Sequence, residues 1–190
     1  MRDLSLYILD LTMNSIRAQA TLVEMNVIEL KQKSLLMIKV KDNGQGMSEE
    51  MIDRVRDPFF TTRATRKVGL GIPLLTAMAS RCEGEVFIDS KIGVGTTVTL
   101  KIRLDHIDRP PFGDIHNTLI SLIYLEPIID FNYTHRSEEC EYQFKTQSIK
   151  QVIGEVPINH SAIIEWMKKE LEAGDFSFTS YYSCLGGCLF

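Results

Sequence analysis

Leu4, Ile8, Leu11, Ser15 and Ala18 recur at the spacing of one helical face, which predicts a core-facing helix over residues 3–18. A second row on that helix is polar. Asp10, Asn14 and Arg17 stand at i, i+4 and i+7, so they align, and Leu9, Leu11, Met13 and Ile16 flank them. Polar groups bordered by apolar ones on both sides read as the lining of a crevice; the alternative is a solvated face. Residues 22–30 and 35–41 then read as two strands joined by the polar turn Lys31–Ser34. In the second strand Leu36, Ile38 and Val40 alternate with Met37, Lys39 and Lys41, and Asp42 continues the inward-facing row. A carboxylate facing a core must find a partner. Asp42-Asn43-Gly44-Gln45-Gly46-Met47 is otherwise an ordinary turn sequence, with Gly44 and Gly46 open to backbone angles closed to other residues.

Downstream, Ser48 is placed to cap a short helix that ends near Val55. Periodicity disappears from Arg56 to Val68, where two adjacent phenylalanines and Arg63, Arg66 and Lys67 predict a covering loop rather than a plain linker. Gly69-Leu70-Gly71 opens a helix over residues 72–82, with Pro73 in the first turn where its missing N–H costs little. A glycine-rich entry to a helix offers free N–H groups and a positive dipole end, which suits a phosphate. The segment is neither a dinucleotide fingerprint nor a Walker A loop. Residues 85–90 and 96–103 form a further hairpin. Pro110-Pro111-Phe112-Gly113 reads as a linker, followed by a helix over 114–125, strands over 128–135 and 141–145, a helical turn over 148–153 and a helix over 159–171 ending at Gly174.

The chain has 190 residues, of which 44% are hydrophobic and 24% charged, enough for one ordinary core or two small ones. Charge is uneven: residues 1–104 carry a net +3 and residues 105–190 a net −7, which suggests two modules, neither of them a nucleic-acid-binding surface. No apolar run reaches the roughly 20 residues needed to cross a bilayer, and no signal-peptide pattern opens the chain, so the expected location is cytoplasmic. Cys82, Cys140, Cys184 and Cys188 fit neither a disulfide framework nor a zinc pattern and read as reduced thiols.

Taken in order, the Asn-bearing helix, the hairpin ending in Asp-x-Gly-x-Gly, the Phe-Phe loop, Gly-x-Gly before a helix and Gly95-Thr96-Thr97 on a strand resemble the gyrase, chaperone, histidine-kinase and mismatch-repair ATPase superfamily. The resemblance spans residues 4–104. It implies an α+β class, a Bergerat-fold sandwich of a mainly antiparallel sheet covered by helices, that binds ATP with Mg²⁺. Asp10–Ala18 matches the superfamily's N box, Asp42–Met47 its first glycine box and Asp57–Arg63 the phenylalanine box of histidine kinases. It implies further that Asn14 ligates Mg²⁺, that Asp42 accepts from the adenine amine, and that Gly44, Gly46 and Met47 border the base. Gly69, Leu70 and Gly71 would hold phosphates, and Phe60, Thr61, Thr62, Arg63 and Lys67 would meet the nucleotide from the loop. Thr96 or Thr97 would support the base, since only one of them can face inward.

Two departures bear on activity. Hydrolysing members place Glu four residues before the Asn; here Asp10 is one methylene shorter, which predicts slow turnover or binding alone, because a base must reach its proton. The second departure is the absence of a phosphoacceptor segment ahead of the first helix, with His106, His116, His135 and His160 all downstream in contexts unlike an acceptor. Any acceptor is then expected on an unidentified partner protein, with a homodimer possible. Boundaries are expected at 1–106 for the ATP-binding domain, 107–112 for a linker, 113–174 for a small acidic α+β module and 175–190 for a tail. The module looks like the C-terminal segment of small stand-alone ATP-binding proteins of this superfamily from anaerobic bacteria.

Overall fold

The computed structural model describes residues 3–55 and 71–174. Helix α1 (Leu4–Arg17) begins where extended Asp3 accepts the Leu6 N–H at 3.0 Å, which satisfies one of the donors a helix start leaves unpaired. Its apolar face, Leu4, Ile8 and Leu11 with Tyr7, is buried. Next come β1 (Leu22–Leu30), a 3₁₀ turn over Lys31–Lys33, β2 (Leu35–Asp42), α2 (Glu49–Val55) and α3 (Gly71–Arg81). The hairpin β3 (Glu85–Lys91) and β4 (Gly95–Arg103) precedes α4 (Ile115–Leu125), β5 (Asp130–Arg136), β6 (Glu141–Lys145), α5 (Thr146–Ile153) and α6 (Ser161–Gly174).

Six strands form one sheet in the order β3-β4-β2-β1-β5-β6. All neighbours are antiparallel except β1 and β5, which run parallel with Met25 opposite Tyr133. The alternation read from β2 holds: Leu36, Ile38, Val40 and Asp42 are the buried row. Across the register they meet Val23, Met25 and Val27 of β1 and Val98, Leu100 and Ile102 of β4, so one sheet face carries the core under the helices. The fold is thus the α+β sandwich, a mainly antiparallel sheet with helices over one face, that the sequence implied.

Residues 113–174, expected as a module of their own, continue this sheet and this core. Phe131 and Tyr133 of β5 and Leu119, Leu122 and Ile123 of α4 are buried in the same cluster as Leu4 and Met25. The expected linker is fastened to α1: Leu4 N–H donates to the Pro111 carbonyl at 2.9 Å and Ser5 N–H to Phe112 at 2.8 Å. At the far end of the β1–β5 pair, buried His135 Nε2 lies 2.8 Å from Glu29 Oε1, so the polar group that enters the core arrives with its partner. The helical turn expected over 148–153 is a full helix from Thr146, because β6 runs straight into it and the buried Thr146 hydroxyl accepts the Phe131 N–H at 2.8 Å. Cys82 is buried and its thiol pKa is pushed up by that burial, which keeps it a packing group; Cys140 is exposed and also free.

Asp114 caps α4, accepting the Asn117 N–H at 2.8 Å, and that backbone hydrogen bond holds its carboxyl below the usual carboxylate range. A lowered folded-state pKa contributes stability above the unfolded value and loses it as pH falls through the folded one. Asp114→Ala is expected to lose about 1 kcal/mol at neutral pH in urea unfolding. The gap between the two proteins should close as pH drops below about 4.

Candidate functional site

Asp42 is the meeting point of three elements. Its Oδ2 accepts the Ser15 hydroxyl of α1 at 2.7 Å, and its Oδ1 accepts the Gly44 N–H at 2.9 Å and the Thr96 N–H of β4 at 3.2 Å. The carboxylate is only 8% exposed and yet well satisfied. Asn43 ties the same turn to the start of β1, accepting the N–H groups of Thr21 and Leu22 at 2.9 Å and donating to the Thr21 hydroxyl at 2.8 Å. Gln45 N–H reaches the Ala18 carbonyl at 2.8 Å, and Met47 N–H reaches the Ser90 hydroxyl at 2.8 Å. The turn is held by α1, β1 and the β3–β4 hairpin at once.

The glycines of this corner serve the main chain's own packing. Gly46 has φ +66°, and a Cβ there would lie 2.0 Å from the Lys91 carbonyl oxygen. Gly95, at φ +129°, would place one 2.0 Å from the Asp42 carbonyl oxygen. Backbone approaches backbone here more closely than any side chain permits.

Above the corner opens a cavity of about 640 Å³ between α1, α2, the start of α3 and the β3–β4 hairpin. Asp42, Ser15, Thr96 and Met47 stand at one end, and Ile88, Val98, Met51 and Ile72 supply apolar wall. Asp10, Asn14 and Arg17 line it from α1, so the polar row does border a crevice. Arg17 donates to Asn14 Oδ1 at 2.9 Å. Asp10 packs on the first residue of α3: a Cβ on Gly71 would lie 2.0 Å from Asp10 Oδ2.

Of the residues proposed from sequence, the structure brings Asp10, Asn14, Asp42, Gly46, Met47, Gly71 and Thr96 to one cavity. Gly44 does not line it; a Cβ there would lie 2.6 Å from the Ala18 carbonyl oxygen. Thr97 is paired in register with Lys41 and Asp89, and of the two threonines Thr96 lines the cavity. Phe60, Thr61, Thr62, Arg63, Arg66, Lys67, Gly69 and Leu70 lie outside the described residues, as does the tail with Cys184 and Cys188. Sequence reasoning missed Ser15, which sat on the apolar stripe of α1 and looked like core, and Ser90 and Ile88, whose strand gave no sign of what it faced. No group of three or more His, Cys, Asp or Glu side chains that could hold a metal occurs among the described residues.

The cavity thus joins an acidic strand end, an amide- and carboxylate-bearing helix and a glycine-led helix start in one α+β sandwich. Residues 2–106 match the family described as histidine kinase-, DNA gyrase B-, and HSP90-like ATPase, and the chain belongs to that family. A probable C4-dicarboxylate sensor kinase of Halalkalibacterium halodurans is 33% identical over 70 residues, covering 37% of this chain and 13% of that protein. A putative sensor protein of Shewanella frigidimarina is 31% identical over 103 residues, covering 53% of this chain and 16% of its own. The chain therefore spans about a sixth or less of these relatives' lengths. In fold it is similar to the N-terminal domain of a DNA repair protein, at TM-score 0.56 and 14% identity over 83% of this chain and 59% of that one. Among the described residues no helix is long and apolar enough to cross a membrane.

Gly93 supplies an internal control for the packing argument. It too has positive φ, at +74°, but a Cβ there meets nothing within 4 Å. Gly93→Ala is expected to cost about 1 kcal/mol of backbone strain alone. Gly46→Ala should cost clearly more in the same denaturant titration, because the Lys91 carbonyl must also move.

Proposed function

We propose that this protein binds Mg-ATP in the α1–β4 cavity and uses it for phosphotransfer to a partner protein or for slow hydrolysis. The observation that carries the reading is that one cavity is lined both by the acceptor carboxylate Asp42, at the end of β2, and by Asp10 and Asn14, one helical turn apart on α1. Asp42 would take a proton donor on the base. Ile88, Val98 and Met47 would cover the base's faces, and the start of α3 at Gly71 would meet phosphate.

The donor set suits Mg²⁺. This ion keeps several waters and takes one or two protein oxygens together with phosphate oxygens, and the cavity offers the Asn14 side-chain oxygen as that ligand, with the Asp10 carboxylate one turn earlier on α1 kept for proton chemistry. When bound, the ion would supply charge compensation at the phosphates. Asp10 would orient the attacking group as general base; the acceptor would be a side chain of a second, unidentified protein.

One observation favours a second reading, in which ATP is bound and gates partner binding without turnover. Asp10 is short and its carboxylate rests against Gly71, a position suited to holding α3 as well as to taking a proton. Turnover separates the two: under phosphotransfer or hydrolysis Asp10→Ala should lose on the order of 100-fold or more in rate with ATP affinity little changed. Equal inertness of wild type and variant supports gating. Asp42→Asn puts an N–H₂ group where an acceptor is needed and should weaken ATP by about tenfold or more. Wild type that takes up no ATP in calorimetry contradicts both readings.

A further inference from the structure

The six-stranded sheet ends at β3, and among the described residues no strand pairs with the side of β3 away from β4. A free edge offers a row of backbone N–H and C=O groups to any extended segment that reaches it. Proteins block such edges with proline, a bulge, a very short strand or charged side chains. β3 lacks the first three. It runs seven residues, Glu85–Lys91, contains no proline and pairs with β4 one residue to one throughout, so no bulge bends it away. The opposite edge differs: β6 has five residues and runs straight into α5.

The charges on β3 do not block the edge, because they complement the strand itself. Glu85 stands at one end and Lys91 at the other, both exposed. When two copies of β3 lie antiparallel with Ile88 opposite Ile88, Glu85 of each copy faces Lys91 of the other, so one favourable contact forms twice about a two-fold axis. In the same register the two Phe87 rings become diagonal neighbours across the axis, within the reach of aromatic side chains. Phe87 is 42% exposed in the single chain, with Lys101 Nζ 4.8 Å from its ring centroid.

We propose that β3 is a self-association edge, through which two copies of this chain join their sheets about a two-fold axis at Ile88, with the Glu85–Lys91 contact formed twice. The symmetry consumes the β3 edge of each copy, so assembly stops at the dimer. One pair of strands buries less than a standard protein interface, so the dimer is weak and depends on protein concentration. Ile88 also lines the cavity, so the pairing sets the two cavities on one continuous sheet. It stands whatever the cavity binds.

Sedimentation velocity over a concentration series tests the pairing. Wild type should pass from monomer to dimer as concentration rises and go no further. Glu85→Lys and Lys91→Glu each set like charges opposite one another at both contacts, and each alone should weaken the dimer by about tenfold or more. Mixed in equal amounts, the two variants oppose Lys to Glu at both contacts, and dimer should return to near the wild-type level. Mixing separates pairing from local damage: Glu85 is also opposite Lys101 within its own chain, and a strand harmed by substitution is not repaired by a second harmed strand. Lys91→Gln, which removes the charge alone, should weaken the dimer several-fold and decides the matter if either charge reversal fails to fold. A wild type that stays monomeric at the highest concentration, variants that dimerise as wild type does, a mixture no different from its components, or growth beyond the dimer overturns the proposal.

Discussion

Burying a carboxylate at the end of β2 is the constraint from which the site follows. Asp42 faces the core because the strand period leaves it no other side, and a buried carboxylate without donors would cost more than a marginal fold can bear. The chain meets the requirement with donors from three places: the Ser15 hydroxyl, the Gly44 amide one turn on, and the Thr96 amide across the sheet. Each donor fixes an element. Ser15 sets the roll of α1 against β2, Gly44 sets the shape of the turn, and Thr96 sets the register at which β4 begins.

The cavity is a by-product of that arrangement. Once α1 is rolled so that Ser15 points down at Asp42, Asp10 and Asn14 on the same helix are carried to the rim, toward the start of α3. Residues along the length of one helix thus border the cavity, from Ser15 beside Asp42 to Asp10 beside Gly71. Residues 107–174 bear on the same helix from the other side. Pro111 and Phe112 accept the first two N–H groups of α1, and β5 adds to the edge of β1 beside it. Segments that carry none of the site still hold the helix that carries most of it.

Much of this was legible in the sequence, for local reasons. Strict alternation in Leu36–Asp42 fixed which way Asp42 points, the i, i+4, i+7 row put Asp10, Asn14 and Arg17 along one crevice, and the order of elements through Arg103 followed from period and turn chemistry. What was not legible was non-local. Nothing in Asp130–Arg136 announces that it will pair in parallel with Leu22–Ile28, because pairing register is a property of two distant segments. Ser15 read as one more small residue on an apolar face. Ser90 has no local signal at all, since its role exists only when Met47, Gly95 and Thr96 arrive around it. Gly46 and Gly95 were visible as glycines, but the carbonyls that require them come from other strands.

Hydrogen–deuterium exchange of the whole protein with and without Mg-ATP tests the central claim most directly, because it reads every element at once. The account predicts added protection in α1, in the Asp42–Met47 turn and at the start of β4 around Thr96, with β5 and β6 unchanged. Protection confined to β5, β6 and α6, or none in the Asp42–Met47 turn at saturating ATP, would contradict it.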